Sequence, residues 1–182
     1  MFFGVNNESK KEQKFMRRTD REIKDIRIIL DILRSLPAGH LALNDAGKPY
    51  GVTMNYLAEP GPDGSAVLYF HGAKEGRKAE ILARDPHVYF FAERDNGPKE
   101  IVRPGGVRSV TNLYVSVAGE GTMEQVCEPE KKRRILIALA NRFVESPFES
   151  LPDAVVEMTA VWKLVLKNLT GKSNPPCQDA AR

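Results

Sequence analysis

Cysteine is nearly absent. Among 182 residues only Cys127 and Cys177 occur, far apart and with no histidine partner pattern around them. A disulfide framework and a cysteine-based zinc site are thereby excluded, and Cys127 is expected to be a partly buried thiol without a catalytic role. Long apolar runs are missing as well: no stretch approaches the roughly 18 uncharged apolar residues of a membrane helix. Phe2 and Phe3 open a short apolar start, but Glu8, Lys10, Lys11 and Glu12 follow at once, so no cleavable apolar core is present. Charge of one sign is not in excess. The 27 basic and 24 acidic residues leave a formal net charge of +3, which carries no general nucleic-acid or membrane signal. The one basic run, Lys131 to Arg134, has no aromatic platform beside it and fits a solvated helix face. Cytoplasmic residence is the simplest expectation, and the sequons at Asn7 and Asn168 are then accidental.

What is present is an ordinary globular mix, 42% hydrophobic and 28% charged, sized for one domain with short extensions. We expect a flexible segment over 1–18, a folded domain over 19–172 and a disordered tail over 173–182, where Pro175 and Pro176 sit among small and polar residues. Thr19 and Glu22 have the spacing of a capping box. Ile23, Ile26, Leu30 and Leu33 then recur at helical spacing up to Pro37 and Gly39. Leu41 to Leu43 lead through Asn44-Asp45-Ala46-Gly47, a hairpin turn, into a strand from Pro49 to Ala58.

Ala66 to Phe70 is wholly apolar, as in a strand buried on both faces. A loop over 71–78 follows, then a helix with Ala79, Ile81, Leu82 and Ala83 inward that stops at Pro86, then a strand over Val88 to Phe91. Residues 94–107, rich in glycine, proline and charge, are expected as a long exposed loop. Leu113, Val115 and Val117 alternate with Asn112, Tyr114 and Ser116, and Gly119 and Gly121 suggest a bulge or a close backbone approach. Pro129 opens a helix with Ile135, Leu136, Leu139 and Phe143 on one face. Residues 155–169 alternate again, with Val156, Met158, Ala160, Trp162, Leu164 and Leu166 on the apolar side. The count is about six strands and three helices. No internal repeat and no consecutive βαβ units are present, so a doubly wound sheet is excluded and a small antiparallel barrel with flanking helices fits.

The chemistry concentrates in Tyr69-Phe70-His71-Gly72-Ala73-Lys74-Glu75-Gly76-Arg77-Lys78. A buried strand delivers a histidine to a glycine-containing loop that carries three cations and opens a helix. A helix N-terminus offers free N–H groups and a positive dipole end, glycines allow close backbone approach, and cations add charge-assisted hydrogen bonds. Together these make a phosphate cradle, although the spacing is neither that of a Walker A loop nor of a Rossmann fingerprint. On residue types alone, a solvated turn with ordinary surface lysines fits as well. His71 suits proton delivery or plain orientation of a ligand. His40 and His87 have no motif around them, and Trp162 on an apolar strand face is core by default.

The segment resembles the Tyr-x-His-Gly-Ala-x-x-Gly-x-Lys element of flavin-binding split barrels in the 5-nitroimidazole reductase (Nim) group, a branch of the pyridoxamine 5'-phosphate oxidase-like superfamily. Other pieces match in order: Met16-Arg17-Arg18-x-Asp20-Arg21-Glu22-Ile23, Gly39-His40-Leu41-Ala42-Leu43 with Gly47-x-Pro49-Tyr50, Tyr114-x-Ser116-Val117, and Leu169-Thr170-Gly171-Lys172. The similarity spans roughly residues 16–173. It implies a mainly β fold, a six-stranded antiparallel split barrel with flanking helices, and a homodimer with FMN at the subunit interface.

Carried over by position, Val52, Thr53, Met54 and Asn55 would lie along the flavin ring, and Tyr69, Phe70 and His71 would flank it. Lys74, Gly76, Arg77 and Lys78 would hold the phosphate. Ser116, Asn112 and Trp162 would come from the partner subunit or the rim. The implied activity is a cytoplasmic FMN oxidoreductase that takes electrons from NAD(P)H and reduces a small oxidised substrate of nitroimidazole or nitroaromatic type, with His71 as the catalytic residue. A flavin- or haem-binding module without catalysis and a deazaflavin-dependent reductase share the fold. A true pyridoxamine 5'-phosphate oxidase fits poorly, because the chain ends in Asn174-Pro175-Pro176-Cys177-Gln178, without that family's arginine- and histidine-containing motif.

Overall fold

The computed structural model describes residues 16–175. The expected flexible start therefore lies almost wholly outside the described residues, as does the tail beyond Pro175, with Cys177 in it. In chain order the elements are β1 (Glu22–Ile23), α1 (Ile26–Ser35), β2 (Ala38–Asp45), β3 (Lys48–Asn55), β4 (Leu57–Pro60), β5 (Ala66–Ala73), α2 (Arg77–Arg84), β6 (His87–Val102), β7 (Arg108–Gln125), α3 (Pro129–Asn141), α4 (Asp153–Met158) and β8 (Thr159–Asn174).

All strand pairs are antiparallel, in the order β3-β2-β6-β7-β8-β5-β4, and β1 adds to β8. The two ends of this path, β3 and β4, are consecutive in the chain and separated only by Tyr56. The sheet must therefore curl until its edges come together, which is the split barrel expected from sequence. The eight strands against the expected six arise from the two-residue β1 and from the break at Tyr56.

The barrel interior is filled by large apolar side chains. Tyr56, Phe70 and Phe90 form an aromatic cluster, with Tyr56 and Phe90 edge-on at 5.2 Å. Leu33, Leu41, Leu68, Ile81, Val117, Leu164 and Leu166 pack around it. Tyr56 donates its hydroxyl to the Leu33 carbonyl at 2.8 Å, so its polar end is satisfied inside the core. A second cluster, with Val67, Tyr69, Ile135, Leu136, Leu139, Val156 and Val161, lies on the other face of β5 and β8 beneath α3 and α4. Burial of β5 between the two clusters explains its uninterrupted apolar run.

Several expectations are corrected. The first helix does not begin at Thr19. Thr19–Arg21 form a 3-10 turn, Ile23 pairs with Gly171, and Asp25 caps α1 by accepting from the Arg27 amide at 2.8 Å. Residues 94–107 belong to a long β-hairpin rather than a loop. It bulges at Gly97 and turns through Gly105 and Gly106, both at positive φ. Neither face of that ribbon is buried, so no alternation marks it in sequence. The stretch 155–169 divides: Val156 and Met158 lie in α4, with Met158 exposed, and β8 starts at Thr159. Phe143 lies beyond α3 and is exposed, Ala83 is exposed on α2, and Cys127 is exposed rather than partly buried. β8 carries Ser173 and Asn174, both buried, so the fold continues past the expected boundary at 172. Gly119 and Gly121 do mark a bulge and a close approach: a Cβ on Gly121 would lie 2.4 Å from the Val165 carbonyl oxygen.

Candidate functional site

β5 ends and α2 begins within four residues, and the strand alternation sends Gly72 to the barrel side and His71 to the opposite face. Lys78, in the first turn of α2, folds back over Gly72. Its Nζ lies 3.4 Å from Met54 Sδ and 4.7 Å from the centre of the Trp162 ring. A Cβ on residue 72 would fall 2.6 Å from that Nζ, so the glycine leaves the lysine its place. No carboxylate pairs with Lys78 among the described residues, and burial pushes its pKa below the ordinary lysine value. A half-buried ammonium facing a thioether and an aromatic ring has no counter-charge. Gly76 stands at the N-cap of α2 with φ of 102°, where no side chain caps the first-turn amides.

His71 opens into a pocket of about 350 Å³ whose polar edge is Asn55, His71 and Thr159 and whose walls are Leu136, Leu139, Ala140, Phe143, Leu151 and Val155. Burial, and then the nearby Lys78 charge, lower the His71 pKa below 6.5, so the imidazole is neutral at pH 7. Asn55 is held by donating to the Pro37 carbonyl at 2.7 Å.

The structure brings together Met54, His71, Gly76, Lys78 and Trp162 of the predicted set, and Asn55 joins them through the pocket. Trp162 is buried in the core, the default reading for it, and one ring face meets Lys78. Lys74 is exposed beside a smaller cleft of about 220 Å³ between α2 and Trp162. Arg77 is turned away from Lys78. It bonds Asp45 at 3.0 Å and covers the Tyr50 ring at 4.6 Å, and Arg84 holds the same carboxylate at 2.6 Å, keeping Asp45 below the usual carboxylate range. Phe70 is fully buried in the barrel and Tyr69 lies in the second cluster, and neither side chain lines the His71 pocket or the cleft beside Lys74. Val52 packs against the core, and exposed Thr53 approaches His40 Nδ1 at 3.1 Å.

Asn112 and Ser116 sit at the other end of β7. Asn112 donates to Asp95, and Ser116 pairs with Glu93 and Lys172. Gln125, which pairs with Trp162, is 13 residues from Asn112, about 40 Å of strand. Within one chain neither can reach Lys78. Sequence analysis missed Gly72 as the space under Lys78, Asp45 as the partner of Arg77, and the whole pocket wall from α3 to α4. These are contacts between distant segments, and no local pattern announces them.

The profile of the pyridoxamine 5'-phosphate oxidase family matches residues 25–173, spanning both clusters and the site. The chain belongs to this family. Among solved structures, a protein from Bacteroides thetaiotaomicron proposed to act in 5-nitroimidazole antibiotic resistance is 27% identical, with a TM-score of 0.68 over 84% of this chain and 86% of that one. An FAD- and haem-binding protein from Mycobacterium smegmatis is 22% identical, with a TM-score of 0.69 over 88% and 77%. The flavocytochrome Anf3 from Azotobacter vinelandii is 18% identical, with a TM-score of 0.72 over 91% and 75%. No curated protein matches. The family match and these neighbours agree with the split-barrel fold traced by the strand order. Among the described residues, no helix is long and apolar enough to cross a membrane.

Proposed function

We propose that the chain is a homodimeric FMN oxidoreductase that uses NAD(P)H to reduce a small oxidised substrate of the nitroimidazole or nitroaromatic class. One observation carries this reading: the half-buried Lys78 ammonium, fixed by Met54 and Trp162, lacks a carboxylate and stands beside uncapped helix amides. That donor set fits the phosphate of FMN, which needs cations and backbone N–H groups. The similarity to the Bacteroides protein supports the nitroimidazole side of the reading.

The chemistry that FMN supplies when bound is two-electron transfer between a nicotinamide and an acceptor. The chain does the rest. Lys78 and the first turn of α2 bind the phosphate, and β3 from Val52 to Asn55 supports the ring. Asn112 and Ser116, out of reach within one chain, would belong to the site of the partner subunit. His71, neutral at pH 7, accepts or orients a proton at the pocket edge, and Leu136, Leu139 and Phe143 give that pocket its apolar wall.

Flavin titration of Lys78→Ala tests the reading. Loss of a charge-assisted hydrogen bond costs about 1.5–3 kcal/mol, so FMN affinity falls about 10- to 100-fold while the fold is retained. Unchanged affinity rejects the phosphate assignment. A wild-type protein that retains no FMN after desalting rejects the cofactor and directs titration to haem and deazaflavin.

A further inference from the structure

The β6–β7 hairpin runs well past the barrel. Over residues 94–110 its exposed valines are Val102, Val107 and Val110, with Val102 and Val110 each 70% exposed. A two-stranded ribbon with an apolar surface and no third strand is marginal in water on its own. The same stretch carries Arg94, Lys99, Arg103 and Arg108 against Asp95 and Glu100. Arg108 is spent on Glu100, which leaves Arg94, Lys99 and Arg103 without ion pairs among the described residues.

The pocket beside His71 has the opposite character. The segment 143–158, which gives the pocket Phe143, Leu151 and Val155, carries Glu145, Glu149, Asp153 and Glu157 and no basic residue. Asp153 is paired with Arg133; the three glutamates are in no ion pair among the described residues. The same segment exposes Phe143, Phe148 and Met158. Among the described residues, one chain thus holds three unpaired cations with valines on a ribbon, and three unpaired carboxylates with large apolar side chains on the segment that walls the pocket.

The two cannot meet within a chain. Val110 is 15 residues along β7 from Gln125, about 50 Å of strand, and Gln125 pairs with Trp162 at the pocket end of the molecule. A second copy can satisfy both surfaces at once, because a two-fold axis repeats any contact of one residue with another in the reverse direction.

We propose that residues 94–110 of one chain close over the His71 pocket of a second copy, so that the partner's hairpin forms the missing wall of that pocket. The valines cover Phe143, Phe148 and Met158, and the arginines and lysine face the glutamates. This rests on the proposed dimeric flavin enzyme and adds what closes its pocket.

The test uses the full chain in sedimentation equilibrium at low and high salt, with FMN titration in parallel. Wild type is a dimer that weakens as salt rises. The double reversal Lys99→Glu with Arg103→Glu weakens the dimer about tenfold or more, since like charges brought together are repelled. Adding Glu145→Lys and Glu149→Lys to the same chain restores it to within about threefold, an outcome misfolding cannot give. With Cys127 and Cys177 replaced by serine, mixing Val107→Cys chains with Phe148→Cys chains gives a disulfide-linked mixed dimer under mild oxidation. A monomeric wild type, a dimer indifferent to the reversals, or the absence of both rescue and mixed cross-link overturns the inference. A dimer that responds as expected yet binds no flavin overturns the flavin reading and leaves the docking intact.

Discussion

Gly72 has no side chain because the end of Lys78 occupies the space where one would go. The neighbour met by a Cβ there is the tip of a flexible side chain, with Trp162 at an ordinary 3.4 Å. Gly72→Ala should therefore leave thermal stability within about 0.5 kcal/mol of wild type, as for a substitution that strains no backbone. It should, however, displace the ammonium from Met54 and Trp162 and weaken FMN binding about tenfold. Melting and flavin titration on the same preparation separate these effects. A large loss of stability with unchanged affinity would make Gly72 a packing residue and remove it from the site. At this scale the sequence was legible where chemistry is local. His71, Gly76 and Lys78 lie on one strand-to-helix junction and could be singled out together. Arg77 looked equivalent to Lys78, but its partner Asp45 lies 32 residues earlier on another hairpin, and no spacing rule reaches that far.

Elements were legible where one face is buried and obscure where none is. The apolar run of β5 and the alternation of β7 gave strands, and Pro129 began α3 where expected. The outer hairpin carried no such alternation, and the capping box at Thr19 lost to Asp25 because Ile23 is drawn into a pair with Gly171 on β8. Glycines in β7 were legible as a bulge, and their roles differ in a measurable way. A Cβ on Gly121 would meet the Val165 carbonyl at 2.4 Å and Leu164 Cδ1 at 2.8 Å, so the strand backbone must move. Gly121→Ala should cost about 1–3 kcal/mol, lowering the melting temperature by roughly 5 °C. Gly51→Ala, with nothing within 4 Å of the added carbon, is the matched control and should melt with wild type. Equal melting of the two would show that β7 and β8 can separate without loss.

Among the described residues the carboxylates with shifted pKa values are held by hydrogen bonds, whereas His71 and Lys78 have no carboxylate partner. Asp20, Asp25, Asp45, Asp85, Asp95 and Glu100 are all held below their ordinary values, mainly by hydrogen bonds from nearby side chains or backbone amides. His71 and Lys78 are lowered instead by burial, His71 also by the Lys78 charge, and neither is paired with a carboxylate among the described residues. The sign is the same for His71 and the carboxylates: a folded-state value below the unfolded one gives stability that is present above the unfolded pKa and lost as pH falls through the folded one. For His71 this loss starts below 6.5, and for the aspartates below 3.8. The flavin-free protein should therefore lose stability on acidification in two stages, and His71→Asn should remove the first and leave the second. A bound phosphate beside Lys78 would raise both inner values by supplying the missing negative charge, so FMN should shrink the first stage in wild type and do nothing in the variant. Melting curves between pH 2 and 8, with and without FMN, decide this. A first stage that survives His71→Asn would place the titrating group elsewhere, and one that FMN leaves unchanged would separate His71 from the phosphate site.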